Sequence, residues 1–250
     1  MGGEMKEFLT VTLLFLLTFI IMLIFIHGMW CGSQAWKNFI EYFKARNYEC
    51  KAVDLKEGFD LRHVCFMDYV DKVASMAGKD DVLIGHSMGG LIVQKVAEQK
   101  KIKGGVAICS APPKGIKYSN LAMKLHSLKF LPRIIMNKPV KPDLKLVQSF
   151  LANCVDKEKI EKIWDKVEAE GARVVYELAT GKIAVDEKKI RCPLLFIATK
   201  DDRASPPNMV EKIARKYNAE FVVKDGCHWI FDDWEEIAGE IAKFLVKVYG

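Results

Sequence analysis

The chain has 250 residues, half of them hydrophobic, enough to bury a sizeable core as one domain with room for an inserted subdomain. Its net charge of +6 comes without an arginine-rich run or an interleaved basic and aromatic patch, which excludes the usual signatures of nucleic-acid binding. The surplus is local: residues 112–191 hold 17 Lys plus Arg against 10 acids, which reads as a solvated lysine face.

In chain order, Phe8 to Ile26 is an uninterrupted run of apolar residues and threonine, long enough to cross a bilayer. His27-Gly28 follows with no polar spacer. Three readings stand: a membrane-association segment over residues 8–20, a buried edge element of the fold, or a start at Met22 that leaves Met22–Ile26 as a first strand. Trp36, Phe39, Ile40 and Phe43 have helical spacing, and a short strand follows at 50–55. Residues 64–76 predict a second helix.

Residues 82–84 are an apolar strand leading into Gly85-His86-Ser87-Met88-Gly89, after which Leu91, Ile92, Lys95 and Val96 resume helical spacing to about 100. This predicts strand, sharp turn and helix, with a serine at the apex. The two glycines suit a turn too tight for a Cβ on either side. The serine sits at a helix N-terminus, where free N–H groups and the helix dipole favour negative charge. That is the physical content of a G-x-S-x-G nucleophile elbow. A glycine-rich strand-to-helix connection of an ordinary α/β domain has the same letters.

Another strand is expected at 105–109, stopped by Pro112-Pro113. From 114 to 189 strand-like runs give way to amphipathic helical stretches broken by Pro132, Pro139, Pro142 and Gly171. Alternation then resumes with a strand at 194–198, a helix at 207–217, a strand at 220–223 and a helix at 233–248. The expected fold class is therefore α/β, a mostly parallel sheet flanked by helices, with core residues 21–113 and 190–250 and a helical insertion at 114–189.

In such sheets sites form beyond the carboxyl ends of strands. Those ends carry, in order, His27-Gly28-Met29, Ser87, Asp201-Asp202 and His228. A serine, an acid and a histidine are what acyl transfer needs. The imidazole takes the serine proton near neutral pH, and a carboxylate fixes its tautomer. Asp201 and Asp202 compete for the acid role, and Asp202 is preferred; it is also suited to a turn before the Pro206-Pro207 helix start. The N–H groups of Met29 and Met88 are the candidate oxyanion donors. His86 and His27 are read as structural, His27 ordering the oxyanion loop. Asp54 is read as a turn residue, and His63 and His126 have no role.

The cysteines (31, 50, 65, 109, 154, 192 and 227) are scattered and form no C-x-x-C pair, so zinc and thioredoxin-like readings fail. Unpaired cysteines in a reducing, cytoplasmic compartment are expected. Cys109 and Cys192 suit buried packing, and Cys227 beside His228 suits silent packing.

These stretches resemble the α/β-hydrolase superfamily from about Ile21 to the C-terminus. HGMW resembles its oxyanion strand end, GHSMGG its elbow, ATKDDRASPP its acid turn, with the acid in register at Asp202, and GCHWIF its histidine loop. The helical stretch 114–189 falls where the family carries its cap. The resemblance implies a serine esterase or monoacylglycerol-lipase-like enzyme with an acyl-enzyme intermediate and no metal or organic cofactor. Its implied partner is a small ester with an apolar acyl part, for which Leu121, Met123, Leu125, Leu128, Phe130 and Leu131 are candidate pocket residues. A thioesterase, perhydrolase or carbon–carbon hydrolase shares the same triad. A slow-turnover binding protein is the rival of a different class.

Overall fold

The computed structural model describes residues 22–117 and 120–250. Six parallel strands form one sheet in the order β2-β1-β3-β4-β5-β6: β1 is Met22–Ile26, β2 Glu49–Val53, β3 Val82–His86, β4 Gly104–Ile108, β5 Leu194–Thr199 and β6 Glu220–Lys224. The four middle strands are almost wholly buried, as their unbroken apolar sequences require of a sheet covered on both faces. Side chains alternate between those faces. Ile24, Ile26 and Leu83 point to one layer, with α2 (Phe66–Met76) and α3 (Met88–Gln99). Leu23, Phe25, Val82 and Ile84 point to the other, with α1 (Lys37–Lys44) and α10 (Glu235–Tyr249). The remaining sheet-flanking helix, α9 (Pro207–Lys216), packs Val210 and Ile213 on Phe196 of β5.

Between β4 and β5 runs the helical insertion: α4 (Leu121–Ser127), α5 (Leu131–Ile135), α6 (Leu144–Leu146, extended by a π turn to Leu151), α7 (Lys157–Asp165) and α8 (Ala172–Ala179). It has its own core, in which Val140, Leu146, Val147, Ile160 and Ile163 close around Trp30 from the β1–α1 loop. The chain leaves β1 for β2 on one side and returns to β3 on the other. That reversal opens a crevice at the carboxyl ends of β1 and β3, and the insertion roofs it.

β1 lies inside the sheet, paired on both edges. The last residues of the apolar run are therefore a buried strand of the sheet. Among the described residues no helix is long and apolar enough to cross a membrane. This corrects the expected membrane association through residues 8–20, which themselves lie outside the described residues. A second correction concerns the cysteines: Cys154 and Cys227 form a disulfide across a sequence separation of 73. The expectation of unpaired thiols fails because nothing in so distant a spacing announces the pair.

Candidate functional site

Ser87 stands between β3 and α3 with φ +54°, a conformation a non-glycine residue adopts only under tertiary constraint. The constraint is visible. Ser87 N–H donates to the Ile108 carbonyl at 2.9 Å, and its own carbonyl accepts from Gly90 and Ala111, each at 3.0 Å. A Cβ on Gly85 would lie 2.2 Å from the Gly89 carbonyl oxygen, and one on Gly89 would lie 2.2 Å from that of Ile26. The tightness inferred for this turn is thus a backbone-on-backbone contact that no larger residue escapes.

The three sequence-predicted side chains meet. His228 Nε2 is 2.9 Å from Ser87 Oγ, and His228 Nδ1 is 2.8 Å from Asp202 Oδ2. Asp202 and His228 are buried, while Ser87 is partly open to a cavity. The other Asp202 oxygen accepts from the N–H groups of Ala204 and Ser205 at 2.8 and 2.7 Å, which locks the carboxylate in orientation. Asp201 is exposed and, among the described residues, engages through its backbone, to Gly226 and Asn153. Of the two adjacent acids, Asp202 is the one whose carboxylate meets the His228 ring.

Met88 opens α3 directly after Ser87, and Met29 lines the same cavity. His27 is fully buried; its Nδ1 donates to the Gly28 carbonyl at 2.8 Å and its Nε2 accepts from Leu55 N–H at 3.1 Å. Burial lowers its pKa to about 4, so the ring is neutral and structural, as expected. His86 packs against His228, ring centroids 4.8 Å apart, and its Nε2 donates to the His228 carbonyl at 2.9 Å. Burial holds it well below the usual imidazole range.

Cys109, expected to pack, is buried immediately after β4 with its thiol 3.4 Å from Thr199 Oγ1. The ligand atoms of Cys109, Asp202 and His228 all lie within 4.8 Å of one another. Both Asp202 oxygens are already engaged, one by the imidazole and one by two N–H groups, so this cluster is poorly suited to a metal. Burial, reinforced by Asp202, pushes the Cys109 thiol well up.

The cavity over Ser87 is small, about 50 Å³, and lined by Met29, Trp30, Met123, Val147, Leu151, Ile163, Val167 and Trp229. Of the pocket residues expected from the cap, only Met123 is among the lining. Phe130 is buried inside the insertion, and Leu125, Leu128 and Leu131 are exposed. The side chain of Leu121 lies outside the described residues. Apart from Met123, the insertion's share of the lining comes from the π turn, α7 and Val167 just beyond it, not from the nearest apolar helix. Trp30, Val147 and Ile163 were missed because apolar residues at helical spacing look alike whether they face a core or a cavity.

Residues 23–240 match the model of the alpha/beta hydrolase family. No curated protein matches the chain. Among solved structures, an extracellular α/β-hydrolase from a Paenibacillus species is similar with a TM-score of 0.72 and 19% identity, over 89% of this chain and 98% of that one. A methylesterase from Arabidopsis gives 0.71 and 16%, over 91% and 99%. A monoacylglycerol lipase from Paleococcus ferrophilus gives 0.66 and 21%, over 91% and 94%. At these identities the likeness is one of fold.

Proposed function

The chain belongs to the alpha/beta hydrolase family, and from that premise we propose that it is a serine hydrolase of carboxylic esters. The observation that carries the reading is the relay Ser87 Oγ to His228 Nε2 at 2.9 Å and His228 Nδ1 to Asp202 Oδ2 at 2.8 Å, with the hydroxyl at the mouth of an apolar cavity. His228 takes the Ser87 proton as Oγ bonds to the ester carbonyl carbon. Asp202 holds the tautomer and steadies the imidazolium. The negative charge on the carbonyl oxygen is met by the N–H groups of Met29 and Met88 and by the N-terminus of α3. Collapse expels the alcohol, which takes the proton from His228. A water activated by the same imidazole then hydrolyses the acyl-enzyme and frees Ser87.

The cavity is small, about 50 Å³, and mostly apolar, which favours a compact apolar acyl group. The names of two similar structures, a methylesterase and a monoacylglycerol lipase, are those of ester hydrolases and agree with this substrate class.

A second reading rests on Cys109, which shares Asp202 and His228 as neighbours. A thiolate there would be the nucleophile of a cysteine hydrolase. Against it stand its complete burial, its raised pKa and its absence from the cavity lining. Hydrolysis of p-nitrophenyl esters from acetate to long chains by wild type, Ser87→Ala and Cys109→Ala tests both. The proposal expects activity on short chains that is lost only in Ser87→Ala. Loss only in Cys109→Ala would transfer the role to the thiol. A folded wild type inactive on every ester but active on thioesters, peracid formation or carbon–carbon substrates would keep the triad and change the substrate class.

A further inference from the structure

The loop that carries Met29 is held from outside by the insertion. Its next residue, Trp30, has φ +66°, a left-handed conformation that is costly for a bulky side chain and needs support. The Trp30 carbonyl accepts from Glu168 N–H at 2.9 Å, and its indole N–H donates to the Val140 carbonyl at 3.1 Å. The following carbonyl, of Cys31, accepts from Lys56 Nζ at 2.6 Å. The same ammonium lies 2.5 Å from Glu168 Oε2. A ring is thereby closed: Trp30 carbonyl to Glu168 backbone, Glu168 carboxylate to Lys56, and Lys56 to Cys31 carbonyl. It joins the β1–α1 loop, the β2–α2 loop and the insertion. The Lys56 side chain is only 9% exposed, so its charge is committed to this ring, while Glu168 is 41% exposed.

We propose that Lys56 and Glu168 are positioning residues that aim the Met29 N–H at the reaction centre when the insertion is seated. The inference rests on the oxyanion reading of Met29. Neither side chain lines the cavity, so neither has a part in holding the ester before reaction. The Lys56 ammonium holds the Cys31–Gly32 peptide, the Glu168 carboxylate holds that ammonium in place, and the Glu168 backbone N–H holds the Trp30–Cys31 peptide, so together they fix the chain just beyond Met29. An oxyanion donor works only when it is aimed at where charge develops, and a displacement of about 1 Å is enough to cost a large part of its effect. Loosening the ring therefore lowers kcat and leaves KM nearly unchanged.

The test is kcat and KM on p-nitrophenyl acetate for the full chain and for Lys56→Met, Glu168→Gln, the double variant and Lys56→Arg. Amide hydrogen exchange over residues 29–32 is measured on the same samples, after thermal melts establish folding. Each single removal is expected to lower kcat about tenfold, less than the ~10²–10³ for loss of a whole donor, with KM within about twofold. The double variant is expected to be no worse than the poorer single, because opening the ring once releases it. Lys56→Arg retains the charge and restores most of the rate, and the loop amides exchange faster wherever the ring is broken. Unchanged kcat in a folded single variant, or losses that multiply in the double, overturns the proposal. If the wild type cleaves no ester, the ester reading fails on its own, and the exchange data decide: unchanged exchange over residues 29–32 in Lys56→Met overturns the positioning role.

Discussion

Cys154 in the helical insertion is bonded to Cys227, the residue immediately before His228. The insertion is thus tied covalently to the loop that holds the imidazole against Ser87. Cross-linking residues this far apart removes freedom from the unfolded chain, with a typical stabilisation of about 2–4 kcal/mol. Dithiothreitol is therefore expected to lower the denaturant midpoint of the wild type to that of Cys154→Ser, and to leave the variant unmoved. Equal midpoints for the wild type with and without reductant would show that the bond does not form in solution.

The two adjacent acids separate cleanly. Asp202→Asn retains the two N–H contacts on one side of the group but no longer fixes the His228 tautomer, and kcat is expected to fall by about 10³–10⁴. Asp201→Asn is expected to stay within about twofold, since the Asp201 side chain is exposed and its contacts run through its backbone. Comparable losses in both variants would contradict the assignment.

His27 sets an acid limit to stability. Its folded pKa of about 4 lies below the unfolded value of 6.5 because burial penalises the charged ring. As pH falls, the unfolded chain takes up the proton first. The stability tied to this group is complete above pH 6.5, declines between 6.5 and 4 and is flat below, with a total of about 3 kcal/mol. Urea midpoints of wild type and His27→Asn at several pH values give the difference. If that difference does not shrink as pH falls from 7 to 4, the neutral buried imidazole is wrong.

Glu170 acts in the opposite sense. It is buried, its Oε1 accepts from Tyr69 Oη at 2.6 Å and from Gly171 N–H at 2.9 Å, and its Oε2 has no partner among the described residues. Burial raises its pKa above the ordinary 4.5 despite those donors. On raising the pH past 4.5 the unfolded chain loses its proton first, so this group's contribution falls until the folded carboxyl also ionises. Glu170→Gln retains an acceptor for Tyr69 and removes that fall. Its thermal midpoint is expected to gain on the wild type between pH 4.5 and pH 8; a constant difference across that range would rule the effect out.

The sheet and the three facing side chains were legible because each depended on local sequence. Apolar runs marked the buried strands, and Ser87, Asp202 and His228 each follow one. Gly85 and Gly89 announced a turn whose backbone contacts leave no room for a Cβ. What stayed hidden was whatever depends on distant parts of the chain meeting. The Cys154–Cys227 bond and the Lys56–Glu168 pair join segments 73 and 112 positions apart, with no periodicity to mark either. The cavity wall was misread for the same reason. Leu125 and Leu128 have the pattern of a packed face yet are exposed, while Val147 and Ile163 reach the cavity from helices the spacing could not orient. Met22–Ile26 had two uses open to it, and its pairing on both edges settled it as a strand.

The central claim is that Ser87 Oγ is the nucleophile. A fluorophosphonate, which reacts with an activated serine and leaves a stable phosphonyl ester, tests it most directly when the labelled protein is digested and the modified peptide is sequenced by mass spectrometry. The account predicts one phosphonylated residue, Ser87, with labelling abolished in Ser87→Ala and strongly slowed in His228→Ala. Stoichiometric modification of Cys109, or ester turnover that persists in an unlabelled Ser87→Ala protein, would contradict it.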